Sequence, residues 1–173
     1  SLLSIVMLSS LNSAREKADN AYRLGMIEEY KKALLLYAED HGGYTLADEN
    51  IDTDFCLSQT SCDGLAPSTF INNAIAPYIK VPASGFSPFS CVISGVSYTC
   101  NEEPLYQCGS TVGNPQTCDD LFIFYTLHGK NKNCGSGLKY FASTNPSDTA
   151  TQCALRISNK GEVNENTSGW GSY

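Results

Sequence analysis

The feature that most constrains this chain is its first stretch, residues 1–41, which contains no proline and is followed by Gly42 and Gly43. Small and aliphatic residues recur in it every three or four positions, a spacing typical of an amphipathic helix. Glycine provides the left-handed cap at which helices end. The sequence therefore predicts one continuous helix over residues 1–41. Its apolar stripe consists of Ala14, Ala18, Ala21, Leu24, Ile27, Leu34 and Ala38.

The charged residues of this helix are expected to lie largely outside the apolar stripe, on the solvent side. Glu28 precedes Lys32 by four residues, a spacing that favours an ion pair on a helix surface. The charged residues assigned to the solvent side are Arg15, Glu16, Asp19, Arg23 and Lys32.

The predicted helix is longer than the rest of the chain can cover. It extends about 60 Å at about 1.5 Å per residue, whereas the roughly 130 remaining residues should form a globule about 36 Å across. About 20 Å must project, and the projecting end, residues 1–11, is uncharged and apolar on all sides. Its eleven residues are too few to span a bilayer, which needs about 20. Because the globule cannot cover this apolar end, lipid or other copies of the chain must bury it. The residues expected to drive assembly are Leu2, Leu3, Ile5, Val6, Met7, Leu8 and Leu11.

The remainder of the chain predicts a globular head. Helical spacing in residues 67–80 indicates a short second helix that ends near Pro77. Short β-rich runs then alternate with turn residues at 91–99, 121–127, 138–143 and 152–158. This order is typical of an α+β domain in which a long helix packs on a small antiparallel sheet. We divide the chain into a helix, 1–43, with an apolar assembly end, 1–11, and an amphipathic part, 12–43, and a globular head, 44–173.

Eight cysteines and no CxxC motif predict a disulfide framework rather than a zinc site or a redox centre, and hence an oxidising compartment. Eight cysteines allow 105 connectivities, among which we favour pairing between neighbours in sequence. Short loops of this kind each stabilise the fold by roughly 2–3 kcal/mol. The favoured pairs are Cys56–Cys62, Cys91–Cys100, Cys108–Cys118 and Cys134–Cys153.

Charge and motif content disfavour several classes of function. A formal charge of −7 disfavours nucleic-acid binding and electrostatic attachment to anionic lipid. Both histidines, His41 and His128, are expected at the surface, and no GxSxG or glycine-rich nucleotide motif is present, so no catalytic residue and no enzyme activity are predicted. No cofactor is expected; calcium is the weak alternative, because the acidic run lacks glycine at Thr53 and a carboxylate at Gln59. Its candidate ligands are Asp48, Asp52, Asp54, Asp119 and Asp120.

Three segments resemble the type IV pilin and pseudopilin family. Residues 1–18, SLLSIVMLSSLNSAREKA, look like the part of the first helix that follows the membrane-embedded end, and residues 28–45, EEYKKALLLYAEDHGGYT, resemble the end of that helix. The segment APYIKVP, residues 76–82, is similar to a further family element. LFIFYTL, GLKYFAS and CALRIS are similar to its small sheet. The family's cleaved leader, methylated phenylalanine and assembly glutamate are not in this sequence.

The resemblance implies a filament subunit that is held in the inner membrane before assembly and then polymerises with itself at the cell surface. The leading interpretation is the main subunit of a type IV pilus (a fimbrium) for adhesion, twitching motility or DNA uptake, with nucleic acid involved only indirectly. A major pseudopilin of a type II secretion system is the nearest rival. A minor or tip pilin is the other alternative, an adhesin whose loops 45–67 and 100–120 would recognise a host surface or glycan.

Overall fold

A computed structural model of the chain describes residues 2–43, 55–59, 65–83, 86–100, 104–109, 120–139, 145–158 and 163. The fold is α+β, as predicted, with a long N-terminal helix and an antiparallel sheet. The two helices are α1, Leu2–His41, and α2, Thr69–Ile75. The strands are β1, Phe55–Cys56; β2, Phe89–Ile93; β3, Val96–Cys100; β4, Leu105–Gly109; β5, Asp120–His128; β6, Leu138–Lys139; and β7, Ala150–Ser158.

The predicted first helix is confirmed, including its end. Gly42 has a φ of 71°, the left-handed conformation that glycine adopts without steric penalty. The Gly43 amide donates to the Ala38 carbonyl at 2.9 Å, which closes the last turn in a Schellman arrangement. The backbone conformation and hydrogen bonding of the two glycines therefore end α1 where the sequence predicts its end.

A five-stranded sheet of order β1-β4-β5-β7-β6 forms the centre of the head. Its long pair, β5 and β7, runs antiparallel in unbroken register from Asp120 opposite Ser158 to His128 opposite Ala150. β2 and β3 form a separate two-stranded sheet. Their connecting turn has positive φ at Ser94 and Gly95, as a two-residue hairpin turn requires. The predicted run 91–99 is therefore a hairpin outside the main sheet.

The main core lies between one face of α1 and the inner face of β5 and β7. Alternate residues of both strands point towards the helix, so the period-two pattern of the strands meets the helical stripe of α1. α2 adds Ile71 and Ile75 to this core, and Ser68 caps its first turn by accepting from the Ile71 amide at 3.0 Å. The residues of the main layer are Ile27, Tyr30, Ala33, Leu34, Tyr37, Leu121, Ile123, Tyr125, Leu127, Leu155 and Ile157.

Several expectations for the head differ from the structure. Strands β1 and β4 were not predicted, since they are short and their pairing partners are distant in sequence. The second helix starts two residues later than the predicted segment and ends at Ile75, two residues before Pro77. Within the predicted run 138–143, Leu138–Lys139 forms strand β6, and residues 140–143 lie outside the described residues.

Two predicted disulfides are present in the structure. Cys91–Cys100 links β2 to β3, and Cys134–Cys153 links the loop after β5 to β7. Cys56 is also disulfide-bonded, to a cysteine whose side chain is not described. Cys62 and Cys118 fall outside the described residues, and the side chain of Cys108 in β4 is not described. The pairs Cys56–Cys62 and Cys108–Cys118 therefore stay predictions.

The predicted placement of the charged residues on α1 needs two corrections. Arg23 is fully buried instead of facing solvent, because it occupies the buried stripe four residues before Ile27 and finds acceptors there. Glu28 pairs with Lys31 at 3.0 Å, an i,i+3 contact, rather than with Lys32. Lys31 is oriented by a second bond, which its ammonium group donates to Ser136 Oγ at 2.7 Å.

Candidate functional site

The part of α1 that precedes the globule is exposed on every side. Residues 7–18 are all exposed, and Arg23 is the first buried residue among those of α1 whose side chains are described. The helix from residue 2 to residue 18 is about 25 Å long at about 1.5 Å per residue, and its described side chains, from residue 7 onwards, are not covered by the globule. The projecting length agrees with the about 20 Å expected from the size of the chain.

Three large apolar side chains lie on this projecting part. Met7, Leu8 and Leu11 are 63%, 62% and 65% exposed. The other predicted assembly residues, Leu2, Leu3, Ile5 and Val6, are within α1, but their side chains are not described. Large apolar side chains clustered at one helix end are unusual on a soluble monomer and mark a contact with another molecule.

The lower part of the predicted apolar stripe belongs to this exposed surface, whereas the upper part packs against the core. Ala14, Ala18 and Ala21 are exposed, whereas Leu24 packs against the core and Ile27 is buried. The reason is the extent of the globule, whose contact with α1 begins near Asn20. Because small side chains let helices approach closely, the alanines continue the apolar surface above Leu11 in a form suited to helix packing.

The point where α1 leaves the globule is fixed by reciprocal hydrogen bonds between Asn20 and His128. The Asn20 amide group donates to the His128 carbonyl at 2.8 Å and accepts from the His128 amide at 2.8 Å. The imidazole of His128 stacks on Phe89, with ring centroids 3.6 Å apart. This part-buried position at the end of β5 corrects the expectation that His128 is a surface residue.

Arg23 joins three elements just above that point. Its guanidinium donates to Asp19 Oδ2 at 2.7 Å, to the Thr126 carbonyl at 3.2 Å and to the Ser87 carbonyl at 2.6 Å. It also lies over the ring of Phe86, 4.7 Å from the centroid. A planar fork with several donors is what allows one side chain to satisfy acceptors in three directions.

Asp19 completes the cluster, and its pKa is affected by the neighbouring Arg23 and His128. Its Oδ2 lies 2.6 Å from His128 Nε2 and also accepts from Arg23. Partial burial raises the pKa of the Asp19 carboxyl, but the hydrogen bonds and charges of Arg23 and His128 outweigh it and hold the pKa below its usual value. The ionised carboxylate is thus the form that the folded state favours.

The depressed pKa of Asp19 makes a pH dependence predictable. A carboxyl whose pKa is lower in the folded state stabilises the fold above its unfolded pKa of about 4, and this contribution is lost as pH falls through the lower folded value. We expect Asp19→Asn to lower the free energy of unfolding by about 1 kcal/mol at neutral pH. The difference from wild type should shrink towards pH 2–3 in urea titrations. A difference independent of pH would contradict the assignment, and Glu39→Gln, at an exposed position of α1, serves as control.

A cleft of about 620 Å³ opens beside the projecting helix, between it and the segment that leads into β2. The side chains that line it are mostly polar or charged. The lining residues are Asn12, Arg15, Glu16, Ala18, Asp19, Ser87, Pro88, Phe89, Ser90 and His128.

The other predicted site residues are not brought together in the described part of the chain. His41 lies at the C-terminal end of α1, where it stacks on Tyr37, far from His128. Asp48, Asp52, Asp54 and Asp119 lie outside the described residues, and the side chain of Asp120 in β5 is not described. Among the described residues, no three His, Cys, Asp or Glu side chains form a group suited to a metal ion.

No family model, curated protein or solved structure matches this chain. Within the residues that the structure describes, no helix has the length and apolar character needed to cross a membrane. The assignment of a function therefore rests on the chain's own geometry, above all on the exposed end of α1.

The roles of Arg23 and Asn20, which together set how α1 leaves the globule, were not predicted from the sequence. One signal for Arg23 was available, since it precedes Ile27 by four residues and Tyr30 by seven and so lies in register with buried positions. Nothing local in the sequence indicated Asn20, because its partner is the backbone of His128, 108 residues away.

Proposed function

We propose that this protein is the structural subunit of a type IV pilus at the cell surface, a polymer of one chain built by bundling of its N-terminal helices. The observation that carries the proposal is the exposure of Met7, Leu8 and Leu11 on a stretch of helix, about 25 Å long, that its own globule does not cover. Lipid covers this end before assembly, and the first helices of other copies cover it in the filament.

The geometry suits a filament because the contact is heterologous. The exposed end of one α1 meets the side of α1 in another copy, where Ala14, Ala18 and Ala21 allow close approach. A contact of one surface with a different surface repeats without closing, so it produces an open fibre rather than a dimer. The disulfides in the head suit a filament that is exposed to shear outside the cell.

Leu11→Ser is expected to weaken self-association by about thirtyfold. Burial of a leucine contributes about 2 kcal/mol, and about 1.4 kcal/mol corresponds to a factor of ten. Sedimentation of the purified chain over a range of concentrations measures the effect. Leu36→Ser is the matched control, since Leu36 is 47% exposed on the part of α1 that the globule covers. Equal effects of both substitutions would contradict a specific role for the projecting end.

A receptor-binding tip subunit is the second candidate, and the β2–β3 hairpin favours it. Val96 and Tyr98 are 52% and 53% exposed on β3, the outer strand of that hairpin. An exposed aromatic side chain on a disulfide-linked hairpin is suited to binding a glycan or a protein surface. Continuous fibres formed by this chain alone would exclude a subunit confined to the tip.

A further inference from the structure

Four cationic side chains lie around the point where α1 leaves the globule. Arg15 and Lys17 are exposed on the projecting part of α1. Lys130 and Lys132 lie in the loop after β5, where Lys132 is exposed and Lys130 is half-buried and donates to the Asn145 carbonyl at 2.6 Å. We refer to these four residues as the basic collar.

The contacts of β5 with α1 place all four at one end of the globule. Arg23 bonds to Thr126, and Asn20 bonds to His128 two residues later, so β5 advances towards the N-terminal end of α1. The turn that follows β5 therefore lies at the level of Asn20 or beyond it along the direction of α1. The Gly129 amide donates to the Thr149 carbonyl at 2.7 Å, which holds this turn against β7.

The nearby carboxylates leave the collar positive. Glu16 is exposed, but Asp19 is already paired with Arg23, and Asp148 is only 7% exposed and accepts from the Gly95 amide. At this end the described residues thus present four cations against one exposed carboxylate. The formal charge of the whole chain is −7, opposite in sign to this group of described residues. Net charge alone disfavoured attachment to anionic lipid, and the local distribution favours it.

We propose that the basic collar binds the headgroups of an anionic bilayer while residues 2–11 are sheltered in that membrane, which rests on the function proposed above. Arg15 and Lys17 follow Leu11 by four and six residues, about 6 and 9 Å along the helix. When Leu11 lies at the edge of the apolar layer, the collar lies at the depth of the phosphate groups. The collar thereby holds the subunit with its head against the membrane before it joins a filament.

The test is flotation of the full chain with two kinds of vesicle, phosphatidylcholine alone and phosphatidylcholine with phosphatidylglycerol. Each cation near an anionic surface strengthens binding by about fivefold. The double variant Lys130→Gln/Lys132→Gln should therefore bind the anionic vesicles about twenty-fivefold more weakly than wild type and the neutral vesicles equally well. Lys80→Gln/Lys139→Gln removes two exposed lysines elsewhere on the head and should change binding less than twofold. Added salt should reduce the anionic preference of the wild-type chain.

The outcomes separate this inference from the proposed function. Equal binding of wild type to both vesicle types, or equal losses in the two double variants, would overturn the collar. If the Leu11→Ser variant instead bound neutral vesicles as strongly as wild type, that result would count against the apolar anchor. If Lys130→Gln/Lys132→Gln weakened self-association without lipid and left vesicle binding unchanged, the collar's partner would be the acidic end of another copy, near Glu39 and Asp40, and the lipid assignment would be wrong.

Discussion

Replacement of Arg23 with methionine is expected to lower the free energy of unfolding by about 3 kcal/mol. Methionine fills a similar volume but donates no hydrogen bond, so the carbonyls of Thr126 and Ser87 lose a buried donor and Asp19 loses its strongest counter-charge. Equilibrium unfolding in urea at neutral pH measures the change. The effect is large because Arg23 is fully buried and connects α1 to β5 and to the segment before β2.

Two further variants make the Arg23 result interpretable. Arg23→Lys keeps the charge without the fork and should lose about half as much stability. Arg15→Met removes the same type of side chain from an exposed position of α1 and should change stability by less than about 0.5 kcal/mol. If Arg23→Met were as stable as Arg15→Met, the buried cluster would not anchor the helix.

The double substitution Cys134→Ala/Cys153→Ala is expected to lower the free energy of unfolding by about 3 kcal/mol. The disulfide closes a loop with a sequence separation of 19 residues, and loss of that closure frees the unfolded chain by about this amount. Both cysteines also lie in the main core, and the Cys134 carbonyl accepts from the buried Tyr125 hydroxyl. Urea unfolding without reductant measures the loss.

The matched comparison is Cys91→Ala/Cys100→Ala. That disulfide has a sequence separation of 9 residues and belongs to the small cluster under the β2–β3 hairpin, apart from the main core. Its removal should lower stability by no more than about 2.5 kcal/mol. An unchanged free energy of unfolding for Cys134→Ala/Cys153→Ala would show that the head does not depend on that cross-link.

The helix and the long strands were predictable because their signals are local. The absence of proline, the helical spacing and the glycine pair define α1, and apolar runs define β5 and β7. Strand β4 carried no comparable signal, since Leu105–Gly109 is short and becomes a strand by pairing with β5. The separation of the hairpin into its own sheet depends on packing around Ala150, which no local pattern encodes.

The candidate site was predictable in one respect and not in another. The exposed apolar end followed from length alone, since a globule of this size cannot cover a helix of 40 residues. The position along α1 at which the globule begins could not be predicted. It is set by the bonds of Asn20 and Arg23 to residues more than 60 positions away. The same long-range contacts bring Lys130 towards Arg15 and Lys17, so the basic collar was invisible in the sequence.

Electron microscopy of negatively stained protein, with and without residues 2–11, tests whether the chain assembles through the exposed end of α1. We expect the full chain to form fibres and the shortened chain to remain a folded monomer, because every residue of the main core follows residue 22. Circular dichroism and thermal unfolding should show that the shortened chain keeps its structure. Fibres of the same form from the shortened chain, or a full chain that stays monomeric at high concentration, would contradict assembly through the exposed end of α1.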